Sequence, residues 1–177
     1  MRKFSFVPVL VLILVGAVSA CPKGRGVSDI ERLIYISEAG SILPELQWYE
    51  EITVSRGEIV LRRNGKTADT EINAGRWSIV IETGRVERLF SRLAGFDRSV
   101  LRRLEPEISP DGGSRESFTL VYRNDRDCTV SLDPGVTYTG AEGFVETVRE
   151  FLKTLTFPVG SERYIIGSEK REETENR

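Results

Sequence analysis

The stretch WYEEITVSRGEIVLRRNG, residues 48–65, decides the fold class because it contains two consecutive segments that resemble β-strands. Both segments are rich in β-branched or aromatic residues. Ile52 and Val54 alternate with polar neighbours, which is typical of a strand with one buried face. We therefore expect strands over 48–55 and 58–63, joined by a turn.

The end of this stretch predicts how the chain continues. Asn64 and Gly65 are typical of a type I′ hairpin turn, whose two central residues need positive φ. A weaker returning strand is therefore expected over 66–72. Similar patterns predict further strands over 33–37 and 77–82.

After the last of these strands the apolar residues change to helical spacing. Thr83 can cap this first helix, and Gly95 ends it. A short helical turn is expected over 99–104, before a loop rich in proline and glycine. The apolar face of the first helix consists of Val86, Leu89, Phe90 and Leu93.

Two more strands, over 117–123 and 128–132, precede a second amphipathic helix. Thr139 and Glu142 form the pattern of a capping box, and Pro158 follows the end of this helix. The element order predicts an α+β fold, with a mainly antiparallel sheet of about five to seven strands and two amphipathic helices packed on one face.

Residues 1–20 have the pattern of an export signal. Arg2 and Lys3 precede an apolar run from Phe4 to Val18. This run is shorter than the roughly 20 apolar residues that a bilayer-spanning helix needs. We therefore expect a cleaved signal peptide, with an uncleaved anchor as an alternative.

The sequence Val18-Ser19-Ala20-Cys21 resembles the lipobox of prokaryotic lipoproteins. The resemblance implies cleavage before Cys21 and attachment of a diacylglycerol, with fatty acids such as palmitate, to its thiol. The protein would then be anchored to a cell membrane outside the cytoplasm. Residues 18–20 also fit an ordinary signal peptidase site, so a soluble secreted protein is the alternative.

The expected state of the cysteines depends on whether the protein is lipid-anchored or soluble. The chain has two of them, Cys21 and Cys128. If Cys21 is acylated, Cys128 is expected to be a buried thiol, because it lies on the apolar side of a predicted strand. If the protein is soluble, a disulfide between Cys21 and Cys128 becomes available.

The mature chain is expected to contain one domain. Residues 21–29 read as a tether, 30–166 as a single α+β domain and 167–177 as a disordered charged tail. Removal of the leader changes the net charge from −2 to −4, because the leader holds two basic residues and no acidic ones. This mild negative charge argues against a nucleic-acid partner.

The chain contains no histidine, which excludes Ser-His-Asp and Cys-His catalysis and most zinc and copper sites. It also lacks the P-loop and Rossmann glycine patterns. The acid pairs Asp111 with Glu116 and Asp125 with Asp127 are interpreted as loop residues. We therefore expect no catalytic, cofactor-binding or metal-binding residues, and a carboxylate-dependent hydrolase is a lesser alternative.

Two groups of residues are candidate interaction surfaces. The first combines aromatic and apolar side chains around a loop, which interface centres use but which can also cover the open end of the core. The second is an arginine row on one side of the first helix, which can be a solvated face or can meet anionic lipid headgroups or an acidic partner. The first group is Ile42, Leu43, Leu46, Trp48 and Tyr49, and the second is Arg85, Arg88 and Arg92.

These features predict a lipid-anchored extracytoplasmic binding domain, whose partner is an envelope or secreted protein that the sequence does not identify. The order of hairpin strands followed by an amphipathic helix is similar to that of the emfourin-type protease inhibitors. This resemblance implies the alternative function of an inhibitor or regulator of a secreted hydrolase.

Overall fold

The computed structural model describes residues 29–39, 47–65, 70–72, 74–97, 100–108, 110–123, 127–158 and 163–165. Its central element is a six-stranded sheet in which all neighbouring strands are antiparallel. In spatial order the strands are β5 (Gly75–Val80), β3 (Glu58–Gly65), β2 (Trp48–Ser55), β1 (Ile30–Ala39), β7 (Ser114–Tyr122) and β8 (Asp127–Leu132).

Two short strand pairs and two helices complete the described part of the chain. β4 (Thr70–Ile72) pairs with β10 (Arg163–Ile165), and β6 (Arg102–Leu104) pairs with β9 (Thr137–Thr139). The helices are α1 (Thr83–Ala94) and α2 (Glu142–Lys153). The expected α+β class is confirmed, with a mainly antiparallel sheet and two helices.

The hydrophobic core lies between one face of the sheet and the two helices. Leu33 of β1 lies opposite Val54 of β2 and Leu120 of β7, so these side chains share one face. All three are fully buried. They belong to one cluster with the apolar faces of the helices: Val86, Leu89, Phe90 and Leu93 of α1, and Phe144, Val145 and Val148 of α2. The expected apolar face of α1 is therefore confirmed.

The other face of the sheet carries short polar and β-branched side chains. Ile34 of β1 lies between Thr53 of β2 and Thr119 of β7. Thr119 forms a hydroxyl–hydroxyl hydrogen bond of 2.9 Å with Thr129 of β8. Alternation along each strand thus produces one apolar face and one hydroxyl-rich face from the same sheet.

The hairpin expected at Asn64 and Gly65 is wrong. Both residues belong to β3 and lie opposite Tyr49 and Trp48 of β2. The next strand beside β3 in the sheet is β5, whereas residues 70–72 pair with β10 and residues 66–69 lie outside the described residues. Gly65 is needed for another reason, because a Cβ atom there would lie 2.0 Å from the Gln47 carbonyl oxygen.

Three smaller expectations are also wrong. The helical turn expected over 99–104 is wrong over residues 102–104, which form strand β6, whereas Val100 is helical and residue 99 lies outside the described residues. Thr139 is the last residue of β9, and α2 starts after Ala141 without a side-chain cap. Thr83 is the first residue of α1, and the capping position is Glu82. Side chains of α1 and α2 bury their apolar faces, which stabilises the helices without these caps.

The tail over 167–177 and the leader lie outside the described residues. In the ranges that are described, no helix combines the length and the apolar character that crossing a bilayer requires. Cys128 of β8 is 2% exposed, so its expected burial is confirmed, but it is disulfide-bonded, so the free thiol expected beside an acylated Cys21 is wrong. Cys21, the other cysteine of the chain, lies outside the described residues.

Two glycines offer a matched test of the close approach between β2 and β3. Gly65 has φ of 84° and Gly57 has φ of 91°, but a Cβ atom at Gly57 meets nothing within 4 Å. We expect Gly57→Ala to cost about 1 kcal/mol of unfolding free energy from backbone strain alone. Gly65→Ala should cost clearly more, because the new methyl group meets the backbone of Gln47. Urea unfolding of both variants measures the difference, and equal costs would contradict the role of this contact.

Candidate functional site

Helix α1 presents the three arginines of the predicted row along one side. The spacing i, i+3 and i+7 places Arg85, Arg88 and Arg92 beside one another, because a helix has 3.6 residues per turn. Burial of the apolar face of α1 in the core fixes the rotation of this helix against the sheet. The arginine side therefore points along the surface, toward α2.

A groove of about 380 Å³ runs between α1 and α2. The arginines form its α1 side, with Leu89 at the base, and Glu150, Phe151 and Thr154 form its α2 side. We call this the arginine groove. Three cationic groups and one carboxylate line it, so it carries a net positive charge in a chain whose overall net charge is −2.

Contacts with α2 hold two of the arginines in place. Arg85 Nη2 donates a hydrogen bond of 2.9 Å to Thr154 Oγ1. The Thr154 hydroxyl in turn donates a hydrogen bond of 2.7 Å to the Phe151 carbonyl oxygen. Arg92 Nη2 lies 3.6 Å from Glu150 Oε2, and both of these side chains are more than half exposed. An ion pair of this length and exposure is weak.

Arg85 and Arg88 form no ion pair within the described ranges. Guanidinium groups present planar forks of N–H donors that match carboxylate and phosphate oxygens. The groove therefore has donors available for an anionic ligand, while Phe151 on its α2 side can contact an apolar part of the same ligand.

The structure does not bring the predicted aromatic surface together. Trp48 and Tyr49 are consecutive residues of β2, so their side chains point to opposite faces of the sheet. The other three residues of that surface, Ile42, Leu43 and Leu46, lie outside the described residues.

Tyr49 lies on the hydroxyl-rich face and is held by a neighbouring carboxylate. Its hydroxyl donates a 2.5 Å hydrogen bond to Glu51 Oε2. Burial, together with the hydrogen bond to Glu51 and the charge of Glu51, raises the pKa of Tyr49 to about 12. A cleft of about 300 Å³ beside it is lined by Glu38, Gln47, Trp48 and Asn64, among others.

Two buried polar groups were not identified from the sequence. Glu50 and Arg63 form an ion pair on the core face, and both side chains are at least 87% buried. The Tyr35 hydroxyl donates a hydrogen bond of 2.8 Å to the carboxylate of Glu116, which also accepts a hydrogen bond from Arg149 of α2. Burial and the bond to Glu116 raise the pKa of Tyr35 well above its usual range. The partners of each pair lie on different strands, so they can be recognised only once the pairing of those strands is known.

The acid pairs considered from the sequence do not form a site among the described residues. Glu116 belongs to β7 and is held by Tyr35 and Arg149, so its assignment to a loop is wrong. Asp111 is exposed, Asp127 starts β8, and Asp125 lies outside the described residues. In the described part of the chain, no group of three or more acidic, cysteine or histidine residues is placed to hold a metal ion.

Comparisons of the chain with protein-family models, with curated proteins and with solved structures find no match.

The raised pKa of Tyr49 predicts a measurable loss of stability at high pH. Its pKa is about 12 in the folded chain and about 10 in an unfolded chain. The folded state therefore holds this proton more tightly, and the resulting stabilisation is complete below pH 10 and disappears as the pH rises through 12. Tyr49→Phe should reduce the decline in unfolding free energy across this range. An unchanged decline would contradict the assignment of the shift to Tyr49.

Proposed function

We propose that this chain is an extracytoplasmic binding module, without catalytic chemistry, that takes an anionic partner in the arginine groove. The observation that carries the proposal is the alignment of Arg85, Arg88 and Arg92 opposite a single carboxylate, Glu150. Contacts with α2 hold Arg85 and Arg92 before any ligand arrives. Both contacts are exposed and weak, so an anionic ligand can replace them.

The residue types of the groove favour binding over catalysis. An arginine side chain stays protonated in proteins, so it holds and orients anions but does not act as a general base. The remaining side chains are two apolar groups, a hydroxyl and one exposed carboxylate. Acid–base catalysis by carboxylates requires two such groups at a defined separation, and the arginine groove is lined by one.

The proposed location outside the cytoplasm has two kinds of support. The charged and apolar leader with its lipobox supports export and a membrane anchor at Cys21. The disulfide at Cys128 supports an oxidising compartment. Lipid on Cys21 and a disulfide between Cys21 and Cys128 exclude each other, because both modifications use the same sulfur atom. Cys21 is the other cysteine of the chain, so the disulfide at Cys128 supports the soluble secreted alternative over the lipid anchor.

The mass of the mature chain from its native host tests the anchor. If Cys21 is lipidated, the mature chain starts at Cys21, carries the added mass of a diacylglycerol and partitions into detergent with the membrane fraction. A mature chain without lipid, lighter by two hydrogen atoms than after reduction, would overturn the anchor. It would establish the soluble alternative with a Cys21–Cys128 disulfide.

The alternative function is inhibition or regulation of a secreted hydrolase. It shares the exported location with the main proposal but uses a different surface, the segment around Trp48 and Tyr49. The cleft beside these residues supports it, since an inhibitor needs an accessible surface at the end of the sheet. A loss of binding on substitution of Tyr49, with the groove intact, would favour this alternative.

Titration with a short inorganic polyphosphate tests the groove as an anion site. We expect the triple variant Arg85→Gln, Arg88→Gln, Arg92→Gln to bind about tenfold more weakly than the natural chain, since exposed charge pairs contribute roughly 0.2–1 kcal/mol each. The matched control is Arg32→Gln, Arg76→Gln, Arg102→Gln, which removes the same charge from exposed positions on other elements. Equal losses in both variants would contradict a specific site.

A further inference from the structure

We infer that the anionic partner of the arginine groove is a second copy of this chain. The arginines on α1 of one copy enter an acidic cleft beside α2 of the next copy. This inference rests on the proposed function, because it names the partner of the same groove.

The acidic cleft lies along a different side of α2 from the arginine groove and has a volume of about 600 Å³. Val136, Tyr138 and Val145 contribute apolar groups to its lining, and Glu142 and Glu146 line it from α2. Both glutamates are exposed. Neither forms an ion pair within the part of the chain that the structure describes. Their carboxylates are therefore available to a cationic group from outside.

The cations of the acidic cleft do not neutralise these two glutamates. Arg149 lines the cleft, but its guanidinium pairs with the carboxylate of Glu116 on β7. Lys153 lies about 10 Å beyond Glu146 along the helix axis. Glu150 also lines the cleft, so three carboxylates face two cations there. The end of the cleft beside the start of α2 is therefore the end that attracts a cation.

The exposed charges on the two helices have the same spacing. Arg88 and Arg92 are four residues apart, which corresponds to about 6 Å along the axis of α1. Glu142 and Glu146 are separated by the same distance along α2. Two arginine–glutamate contacts can therefore form at once when α1 of one copy lies beside α2 of another.

Arginine side chains suit the lining of the acidic cleft. The methylene part of an arginine can pack on apolar groups while its guanidinium remains at a polar rim. Val136 and Val145 are nearly buried and offer such apolar groups. The ring of Tyr138 adds a surface on which a guanidinium can stack. An arginine that enters the cleft therefore gains contacts along its whole length.

A second copy is favoured over an unrelated protein because both complementary surfaces belong to the same chain. The net charge of the whole chain is −2, so two copies repel each other only weakly. The groove and the cleft lie on different sides of α2, so one copy can use both at the same time. Such a contact is heterologous and links copies head to tail. One helix against one cleft is a small interface, so the association is weak and sensitive to salt.

Sedimentation velocity at increasing protein concentration tests the inference. The protein is the chain from residue 21 to residue 177, made under oxidising conditions so that the disulfide at Cys128 is retained. We expect the average sedimentation coefficient to rise with protein concentration at low salt. At high salt it should stay at the value of the monomer.

Charge reversal identifies the two surfaces. The groove variant Arg88→Glu, Arg92→Glu and the cleft variant Glu142→Arg, Glu146→Arg should each associate with themselves at least about tenfold more weakly, because like charges replace attractive pairs. An equal mixture of the two variants should associate again, since the acidic groove of one variant then meets the basic cleft of the other.

Matched controls make the same changes of charge at exposed positions on other elements. They are Arg32→Glu, Arg76→Glu for the groove variant and Glu31→Arg, Glu58→Arg for the cleft variant. Both controls should associate like the natural chain. Equal losses in the controls, or failure of the mixture to associate, would overturn the inference.

The single variant Glu146→Gln keeps the test valid if the double cleft variant does not fold. Glu142 lies in the first turn of α2, where a negative charge stabilises the helix, whereas Glu146 lies beyond it. Glu146→Gln should weaken self-association about threefold. An unchanged association would contradict the role of the cleft.

The binding of inorganic polyphosphate separates this inference from the proposed function. A chain that stays monomeric at every concentration, but binds polyphosphate through the groove, would overturn the inference and leave the proposed function standing. A chain that stays monomeric and shows no groove-dependent binding of polyphosphate would overturn both.

Discussion

The pairing of β1 with β7 is the constraint on which the rest of the structure depends. It joins strands that are far apart in the chain, and the hydrogen bond between Tyr35 and Glu116 spans 81 positions. Closing such a long loop costs conformational entropy, which burial of Leu33 and Leu120 on the shared face helps to offset. Arg149 of α2 also contacts Glu116, so this pairing positions the second helix as well as the sheet. The arginine groove therefore exists only when β1 and β7 have paired.

The sequence predicts the local elements of this fold well and its non-local pairings poorly. Alternation and helical spacing place most of the main strands and both helices, because burial on one face imposes a period that can be read along one segment. The wrong predictions fall at residues whose conformation is determined by contacts with distant parts of the chain. Gly65 is required by the approach of Gln47, which directly precedes β2, and Thr139 pairs with Arg102 of β6 instead of capping α2. Neither partner is visible from the local pattern.

The candidate site divides in the same way. The arginine row of α1 follows directly from the spacing of Arg85, Arg88 and Arg92 along one helix. The second side of the groove does not, because Thr154 is 69 positions from Arg85 and only the fold brings them together. The aromatic pair Trp48 and Tyr49 is the opposite case. Proximity in sequence suggested one surface, whereas the pleat of β2 directs the two side chains to opposite faces.

The partial pairing within the groove explains how it can be both stable and receptive. A row of three guanidinium groups with no counter-charge would repel itself and destabilise α1, since like charges at these spacings are unfavourable. Glu150 and the Thr154 hydroxyl reduce this cost through contacts with Arg92 and Arg85. Both contacts are solvent-exposed and weak, so an incoming phosphate can replace them with little loss of free energy. The weak contacts therefore support the helix pair in the absence of a ligand. They also allow the guanidinium groups to exchange these partners for an anion, which a binding surface for anions requires.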